Sequence, residues 1–508
     1  MPDIRLYNTL SKQKEVFTPS HRGLAGILSS IGFGKKTVTM YNCGPTVYQS
    51  LHIGNYRAYI FADTLKRALE FNGYNVKQVI NITDVGHLVG DGDEGEDKMQ
   101  VTVQKQQRSS KEISEEYTRE FFAGLKALNI ETGDSRGVEV DMRNSFGPDR
   151  SPATQFPRAT GYIPEQITLI EQLEKRGFTY KTSDGVYFDT SKFPQYGKLG
   201  NIHLAGLEEG HRVTANAEKR NPTDFALWKF SKETKEGAAP HRDQEWPSPW
   251  GVGFPGWHIE CSAMAMKLLG PTIDIHTGGI DHIPTHHNNE IAQSEASTGK
   301  SFARFWLHGA HLLIDGQKIS KSLGNTIYLK DLAAHGVTPL GLRYWFLTAS
   351  YRTQMNFTWE AVKGAQTAYE RLLEQVRGLS KAGGSKVSGN AAEDAAPTYG
   401  KIFTQALNDD LNTPKSLAII WDMMKDTEMT NTEKLDSLRE FDGVLGLHLF
   451  IAIGGPVPFP AEIVDLKKER DIARRQRDFR KSDELRVTLS SKGYDIVDTS
   501  TESTLIKK

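Results

Sequence analysis

Residues 36–82 read as strand, glycine-containing loop, helix and strand, and no other stretch limits the fold as sharply. Lys36 to Tyr41 alternates β-branched and polar residues, the period of a strand. It runs into Asn42-Cys43-Gly44-Pro45-Thr46, a turn-rich loop. From Asn55 onward Ala58, Phe61, Leu65 and Leu69 recur at helical spacing. A second short strand, Asn75 to Ile82, ends in Asn81-Ile82-Thr83-Asp84. Such a βαβ unit places the chain in the α/β class: a Rossmann-type parallel sheet with a nucleotide crevice at its carboxyl edge.

The chain has 508 residues, and about 150 residues per domain implies roughly three to four domains. Glu112 to Leu128 reads as a charged amphipathic helix, Asn129 to Phe156 as a long loop, Ile163 to Gly177 as a helix and Gly185 to Phe188 as a hairpin strand. These mark a subdomain inserted into the sheet domain over about residues 125–215. Pro222 to His276 is dense in Trp, Pro and Gly, a binding-surface composition more than a core one. Helical patterning dominates after Ile327, with helices expected over Ala406 to Lys425 and Asn431 to Leu447. Ala382 to Pro397 reads as a linker, and Gly454 to Pro458 as the boundary of a final small module. The expected layout is a sheet domain over 1–330, a connecting region over 331–365, a helical bundle over 366–455 and the small module over 456–508.

Composition removes several function classes. Apolar residues make up 38% and charged residues 25%, as in globular proteins. The net charge of -1, from 62 Lys and Arg against 63 Asp and Glu, excludes a uniformly basic nucleic-acid coat but leaves room for a local patch. Two cysteines cannot build a disulfide framework, so a reducing cytoplasmic location is expected. Met1 to Pro19 has no apolar core of signal-peptide length. Val444 to Ile453 falls short of the ~18 apolar residues that a membrane span needs, so no membrane partner is expected.

Three groups of residues carry chemistry. His52-Ile53-Gly54-Asn55 opens the first helix, where Gly54 permits close backbone approach and helix-end amides with side-chain donors suit the phosphates of a nucleoside triphosphate. Alone, this tetrapeptide reads more readily as an ordinary tight turn with a surface His. Far downstream, Lys318-Ile319-Ser320-Lys321-Ser322-Leu323-Gly324-Asn325 is a cationic, donor-rich loop able to hold pyrophosphate oxygens, or else a solvated turn. The only cysteines are Cys43, beside the first tetrapeptide, and Cys261, in Gly256-Trp257-His258-Ile259-Glu260-Cys261. With His286 and Glu290, spaced i, i+4, they satisfy the four-ligand preference of zinc. His282 and His287 are rival ligands, and two lone cysteines are ordinarily more often small buried hydrophobes than ligands.

The order His-Ile-Gly-Asn then Lys-Ile-Ser-Lys-Ser resembles the two signatures of class I aminoacyl-tRNA synthetases, with Asn55 where a second His is commoner. Asn42 to Tyr48, Gly256 to Ser262 and His286 to Glu290 resemble the hallmark blocks of the cysteinyl-tRNA synthetase family. The likeness begins near Leu6 to Leu10 and resumes at Ala406 to Pro414, covering nearly the whole chain. The loop from Gly133 to Phe156 is longer than usual, and Thr285 stands where Pro is common.

The resemblance implies that Cys43, Cys261, His286 and Glu290 hold one zinc ion, and that ATP with Mg²⁺ meets His52, Gly54, Asn55, Lys318 and Lys321. His52, Asn55, Lys318 and Lys321 would be catalytic, while Thr46, Trp257, Gly279 and Asp281 would line the cysteinyl-adenylate pocket. Trp257 could instead be a core aromatic, and Asp281 could instead orient a ligand histidine. The implied partners are L-cysteine, ATP and tRNA(Cys), bound by a monomer whose connecting region meets the tRNA stem and whose helical bundle meets its anticodon side. Lys467 to Arg486 carries nine Lys or Arg against five Asp or Glu, with Arg474, Arg475, Arg477, Arg480 and Lys481 clustered, which fits phosphate contacts. Two rivals remain: a ligase joining cysteine to an amino sugar on the same scaffold, and a non-catalytic RNA-binding paralogue.

Overall fold

The computed structural model describes residues 3–20, 36–85, 98–132, 154–200, 217–231, 244–320, 323–381, 399–450, 461–476, 478–492, 494–498 and 503–507. An N-terminal hairpin, β1 (Arg5–Asn8) and β2 (Gln13–Val16), precedes the unit legible in the sequence: β3 (Thr37–Asn42), α1 (Ile53–Phe71) and β4 (Asn75–Ile80). Two charged helices follow, α2 (Lys98–Gln106) and α3 (Ser110–Ala127), the second opened by a reciprocal cap between Ser109 and Glu112. Helix α4 (Ile163–Lys175) leads into an antiparallel sheet of β5 (Thr179–Lys181), β6 (Gly185–Phe188), β7 (Phe225–Phe230) and β8 (Gly253–Pro255), paired in that order. Helix α5 (Trp257–Leu269), β9 (Ile273–Gly279), α6 (His286–Thr298) and β10 (Ala303–Gly309) complete the main layer.

The main sheet runs β10-β9-β3-β4, with every pairing parallel. Parallel strands need crossovers that cover their faces, and α1, α5 and α6 provide them. Met40, Val76, Ile273, Ile275 and Leu307 are accordingly buried on the strands. Beyond it lie β11 (Leu312–Ile314), β12 (Gln317–Lys318) and, parallel to β11, β13 (Met355–Phe357).

Two expectations are corrected. The Trp-, Pro- and Gly-rich stretch from Pro222 is core along β7, which is buried and where Trp228 packs with Phe188, Ile170 and Ile259, while its Trp257 and Cys261 line a cavity. The helix expected over Ala406 to Lys425 is two, α9 (Tyr399–Asn408) and α10 (Thr413–Lys425). Pro414 fits only a first turn, and the Asn412 side chain accepts from the Lys415 N–H to start the second helix. At the break Asp410 and Leu411 are both left-handed, with φ of 60° and 52°. The Asp410 carboxylate accepts from the Tyr7 N–H, the Tyr351 hydroxyl and the Arg352 guanidinium, each at 2.8 Å, which holds that conformation.

The chain forms two compact units. The first comprises Met1–Leu329, Phe346–Thr358 and Gly400–Leu417. The second comprises Lys330–Trp345, Trp359–Tyr399 and Ala418–Lys508. Helix α7 (Pro339–Leu347) begins in the second unit, which also holds α8 (Trp359–Lys381) and α11 (Asn431–Leu445). Within it, the fully buried Arg343 donates to the Leu445 carbonyl at 2.7 Å, and the Tyr369 hydroxyl donates to the Leu447 carbonyl at 2.8 Å. Its last segment contains α12 (Ala461–Arg475), α13 (Phe479–Ser491) and the hairpin β14 (Tyr494–Asp498) and β15 (Ser503–Lys507), closed on Ile463, Leu489 and Ile496. Among the described residues, no helix is long and apolar enough to cross a membrane.

Candidate active site and metal centre

A cavity of about 480 Å³ opens at the carboxyl edge of the parallel sheet, within the first unit. Helix α1 points its N-terminus at it, and that terminus is capped by its own signature. The His52 ring Nδ1 accepts from the Asn55 N–H at 3.2 Å, and Asn55 Oδ1 accepts from the His52 N–H at 3.1 Å. Because Nδ1 is the acceptor, the neutral ring carries its proton on Nε2. A side chain at Gly54 would begin 2.8 Å from Ile319 Cδ1, so glycine is what lets the downstream signature approach the helix. The Ile53 N–H also donates to the Ile327 carbonyl at 2.9 Å, just past that signature. Asn325 shapes the loop, accepting from the Ser320 N–H at 2.8 Å and donating to the Lys318 carbonyl at 3.0 Å. Lys318 lines the cavity, and Lys321 lies outside the described residues.

Thr46, Trp257, Gly279 and Asp281 line the same cavity. Trp257 is half-buried over His286, with ring centroids 4.4 Å apart, so it is a wall and not a core residue. Asp281 is 57% exposed and lies 4.0 Å from His282 and from His311.

At the cavity floor Cys43, at the end of β3, meets Cys261 on α5 and both His286 and Glu290 on one face of α6. One donor atom from each lies within 4.8 Å of the others. Cys43 is half-buried, and the other three are buried. His286 Nε2 stands 3.0 Å from Glu290 Oε1. A second cluster, Cys43, His276, His287 and Glu290, meets the same distance limit, whereas His282 belongs to neither. His276 Nε2 lies 3.0 Å from Glu290 Oε2 and His287 Nε2 lies 3.3 Å from the Cys43 sulfur. Behind them His308 Nε2 is 2.7 Å from His287 Nδ1, and the Thr9 hydroxyl is 2.8 Å from His308 Nδ1. His258 Nδ1 is 2.9 Å from His286 Nδ1.

The electrostatics of the first cluster are those of a cation site. Burial, then Cys261 and Glu290, push the Cys43 thiol up, while its hydrogen bond pulls Cys261 down to about 6. Burial alone would raise Glu290, but His276 and His286 hold it at about 2. Burial alone would lower His286, but Glu290 and Cys261 raise it to about 10. The quartet therefore carries removable protons on Cys43 and His286, which a divalent ion would displace. Two sulfurs, one imidazole and one carboxylate in a buried pocket fit a thiophilic, four-coordinate ion such as zinc.

The sequence reading named His282 and His287 only as rival ligands and missed His258, His276 and His308, although seven of the fifteen histidines fall from His258 to His311. It also missed Arg57, a charged residue on the buried side of α1. Of the proposed tRNA contacts, Arg474, Arg480 and Lys481 are exposed on α12 and α13. Arg480 pairs with Glu484 at 3.2 Å. Arg477 and the Arg475 side chain lie outside the described residues.

Comparison with known proteins gives the class first. The family described as "tRNA synthetases class I (C) catalytic domain" matches residues 31–145 and 147–367, and the DALR domain matches 402–450. Among solved structures, a Mycobacterium tuberculosis methionyl-tRNA synthetase with methionyl-adenylate aligns at TM-score 0.52 and 12% identity, over 82% of this chain and 91% of that one. An Agrobacterium radiobacter K84 LeuRS ternary complex aligns at TM-score 0.53 and 12% identity, over 82% and 84%. These show a shared class I synthetase fold. Curated relatives are much nearer. Cysteine--tRNA ligase 1 of Burkholderia lata is 42% identical over 98% of this chain and 95% of its own length. A cysteine--tRNA ligase of Thermus thermophilus is 39% identical over 97% of both. The chain belongs to the cysteine–tRNA ligase family.

Proposed function

We propose that this chain is a cysteine–tRNA ligase: it joins L-cysteine to ATP as cysteinyl-adenylate, releasing pyrophosphate, and passes the cysteinyl group to the 3′ end of tRNA(Cys). The observation that carries the reading is the Cys43–Cys261–His286–Glu290 quartet on the floor of the cavity that α1 and Lys318 border. Those four residues would hold zinc, whose soft contact a cysteine thiolate can make and a serine hydroxyl cannot. His276 and His287 hold Glu290 and Cys43 from behind and fix their orientation.

The rest of the chemistry is positioning and charge stabilisation. The substrate carboxylate attacks the α-phosphorus of ATP, bound with Mg²⁺, and negative charge grows on the departing pyrophosphate. His52, through Nε2–H, and Asn55 meet that charge at the helix N-terminus, with Lys318 and Lys321 on the opposite side. Trp257, Thr46, Gly279 and Asp281 enclose the adenylate. In this assignment residues 1–330 perform the chemistry, 331–365 meet the acceptor stem, 366–455 serve as the anticodon-side bundle, and 456–508 grip tRNA through Arg474, Arg475, Arg477, Arg480 and Lys481. The enzyme acts in the cytoplasm as a monomer. Identity to the curated ligases extends through the helical half, which favours this reading over an amino-sugar ligase.

The test is cysteine-dependent ATP–pyrophosphate exchange followed by charging of tRNA. Exchange without charging would return the amino-sugar ligase, and absence of exchange would leave the non-catalytic paralogue.

A further inference from the structure

We propose that Arg57 is a positioning residue for the adenosine half of ATP, holding the loop between β10 and β11 as the wall against which the base sits. The inference rests on reading the cavity as the ATP site. Arg57 lies on α1 in the turn after His52, is 6% exposed and lines the cavity. Its guanidinium donates to the Ala310 carbonyl at 2.8 Å and the His311 carbonyl at 3.1 Å. It also donates to the Thr353 carbonyl at 2.5 Å and the Ser350 carbonyl at 3.4 Å. Among the described residues no carboxylate pairs with it.

A buried guanidinium neutralised only by carbonyl dipoles is costly, and it is spent on joining three chain segments. The first is the signature helix, the second the loop Ala310–His311, and the third the turn over residues 350–353. That turn closes the clamp, since the Tyr351 carbonyl accepts from the Ala310 N–H at 2.9 Å. Ala310 is thus gripped at both its backbone groups.

The position of the loop gives the ligand. It leaves the carboxyl end of β10, where open parallel sheets bind nucleotides. The helix N-terminus and Lys318 take the phosphates, and the quartet takes the thiol. The base remains, and Gly309, Ala310, His311 and Leu312 line the cavity at and beside the loop, where the small Gly309 and Ala310 leave room for a flat purine face. A lysine cannot replace the arginine, because one ammonium on a flexible stem does not span four carbonyls in two directions.

The test compares zinc-loaded, full-length wild type, Arg57→Gln and Arg57→Lys by calorimetric titration with two probes, adenosine and inorganic tripolyphosphate. Circular dichroism checks folding. Arg57→Gln should weaken adenosine at least about tenfold and leave tripolyphosphate within about twofold. Arg57→Lys should fold, retain the charge and still bind adenosine poorly. Unchanged adenosine affinity in either variant would overturn the inference, as would equal weakening of both probes or full rescue by lysine. Should Arg57→Gln fail to fold, Arg57→Lys decides alone. Wild type without cysteine-dependent exchange would defeat the functional reading itself, a result separate from any of these.

Discussion

His52 and Asn55 cap one another, so their contributions to catalysis cannot be independent. Asn55→Ala removes the acceptor for the His52 N–H at 3.1 Å, and His52→Ala removes the acceptor for the Asn55 N–H at 3.2 Å. Each change breaks the same reciprocal box, whose loss costs about 1 kcal/mol. His52→Ala also deletes a donor to the developing phosphate charge, which adds up to roughly a hundredfold in rate, or about 2.7 kcal/mol. Asn55→Ala should slow exchange about tenfold, because the His52 backbone loses its acceptor and the ring shifts with it, although the Asn55 N–H can still donate to Nδ1. Once His52 is absent, removing Asn55 has no ring left to release. The double variant should therefore be faster than the product of the single effects by a factor of about three or more, a coupling of about 0.6 kcal/mol. The measurement is kcat/KM for ATP in cysteine-dependent exchange across all four proteins, with folding checked by circular dichroism. Effects that multiply to within about 0.3 kcal/mol would refute the argument from the cap. Asn55→Asp supplies a control: it keeps a cap acceptor but sets a carboxylate against the phosphates, so the helix start should hold while ATP binding falls.

Other outcomes follow from the same site. Purified protein should carry about one zinc per chain by elemental analysis, and Cys261→Ser should bind it more weakly. Metal-free protein that still prefers cysteine to serine by the original ratio would contradict selection by the quartet. Lys321→Ala should slow adenylate formation about a hundredfold while cysteine binding stays nearly unchanged, as read by rapid-quench kinetics at saturating ATP. An unaltered rate removes its role. Deleting residues 456–508 should preserve ATP–pyrophosphate exchange but lower kcat/KM for tRNA and flatten its salt dependence, because several phosphate contacts are lost. Full charging by the folded truncation would reduce the basic helices to solvated faces.

The parallel sheet was legible because β3, α1 and β4 each display a clean hydrophobic period, and His52 to Asn55 were placed correctly at the start of the helix between those strands. The metal quartet was half legible. Cys43 and Cys261 stood out by rarity and Glu290 by its spacing from His286, yet spacing alone left His287 and His282 as rivals. The fold sets aside only His282, which joins neither cluster, whereas His287 meets the distance limit in a second cluster with Cys43, His276 and Glu290. Thr9 and His308 behind them are 299 residues apart, a proximity with no local signature. Arg57 was invisible for a different reason. A single arginine on a helix reads as solvent-facing, and its buried course is set by carbonyls hundreds of positions away. The break between α9 and α10 carried a signal in Asn412 and Pro414 that apolar spacing overrode.

The left-handed pair at Asp410 and Leu411 fixes the order in which the enzyme can become active during its own synthesis. Leu411 and Thr413 form part of the cavity wall, and Asp410 holds them there by gripping Tyr7 across 403 residues. At roughly 5–20 residues per second, the ribosome delivers Asp410 about 20–80 s after Tyr7. The N-terminal hairpin can bond to β10 once that strand has been made, through the Thr9 N–H to the Trp306 carbonyl at 2.8 Å, but its contact with Asp410 must wait about a hundred residues longer. A nascent chain or a prematurely terminated one therefore has the signatures and the cysteines but no closed chamber. The cavity wall is thus complete only when residue 413 has been made, well after the Lys318 that also lines it.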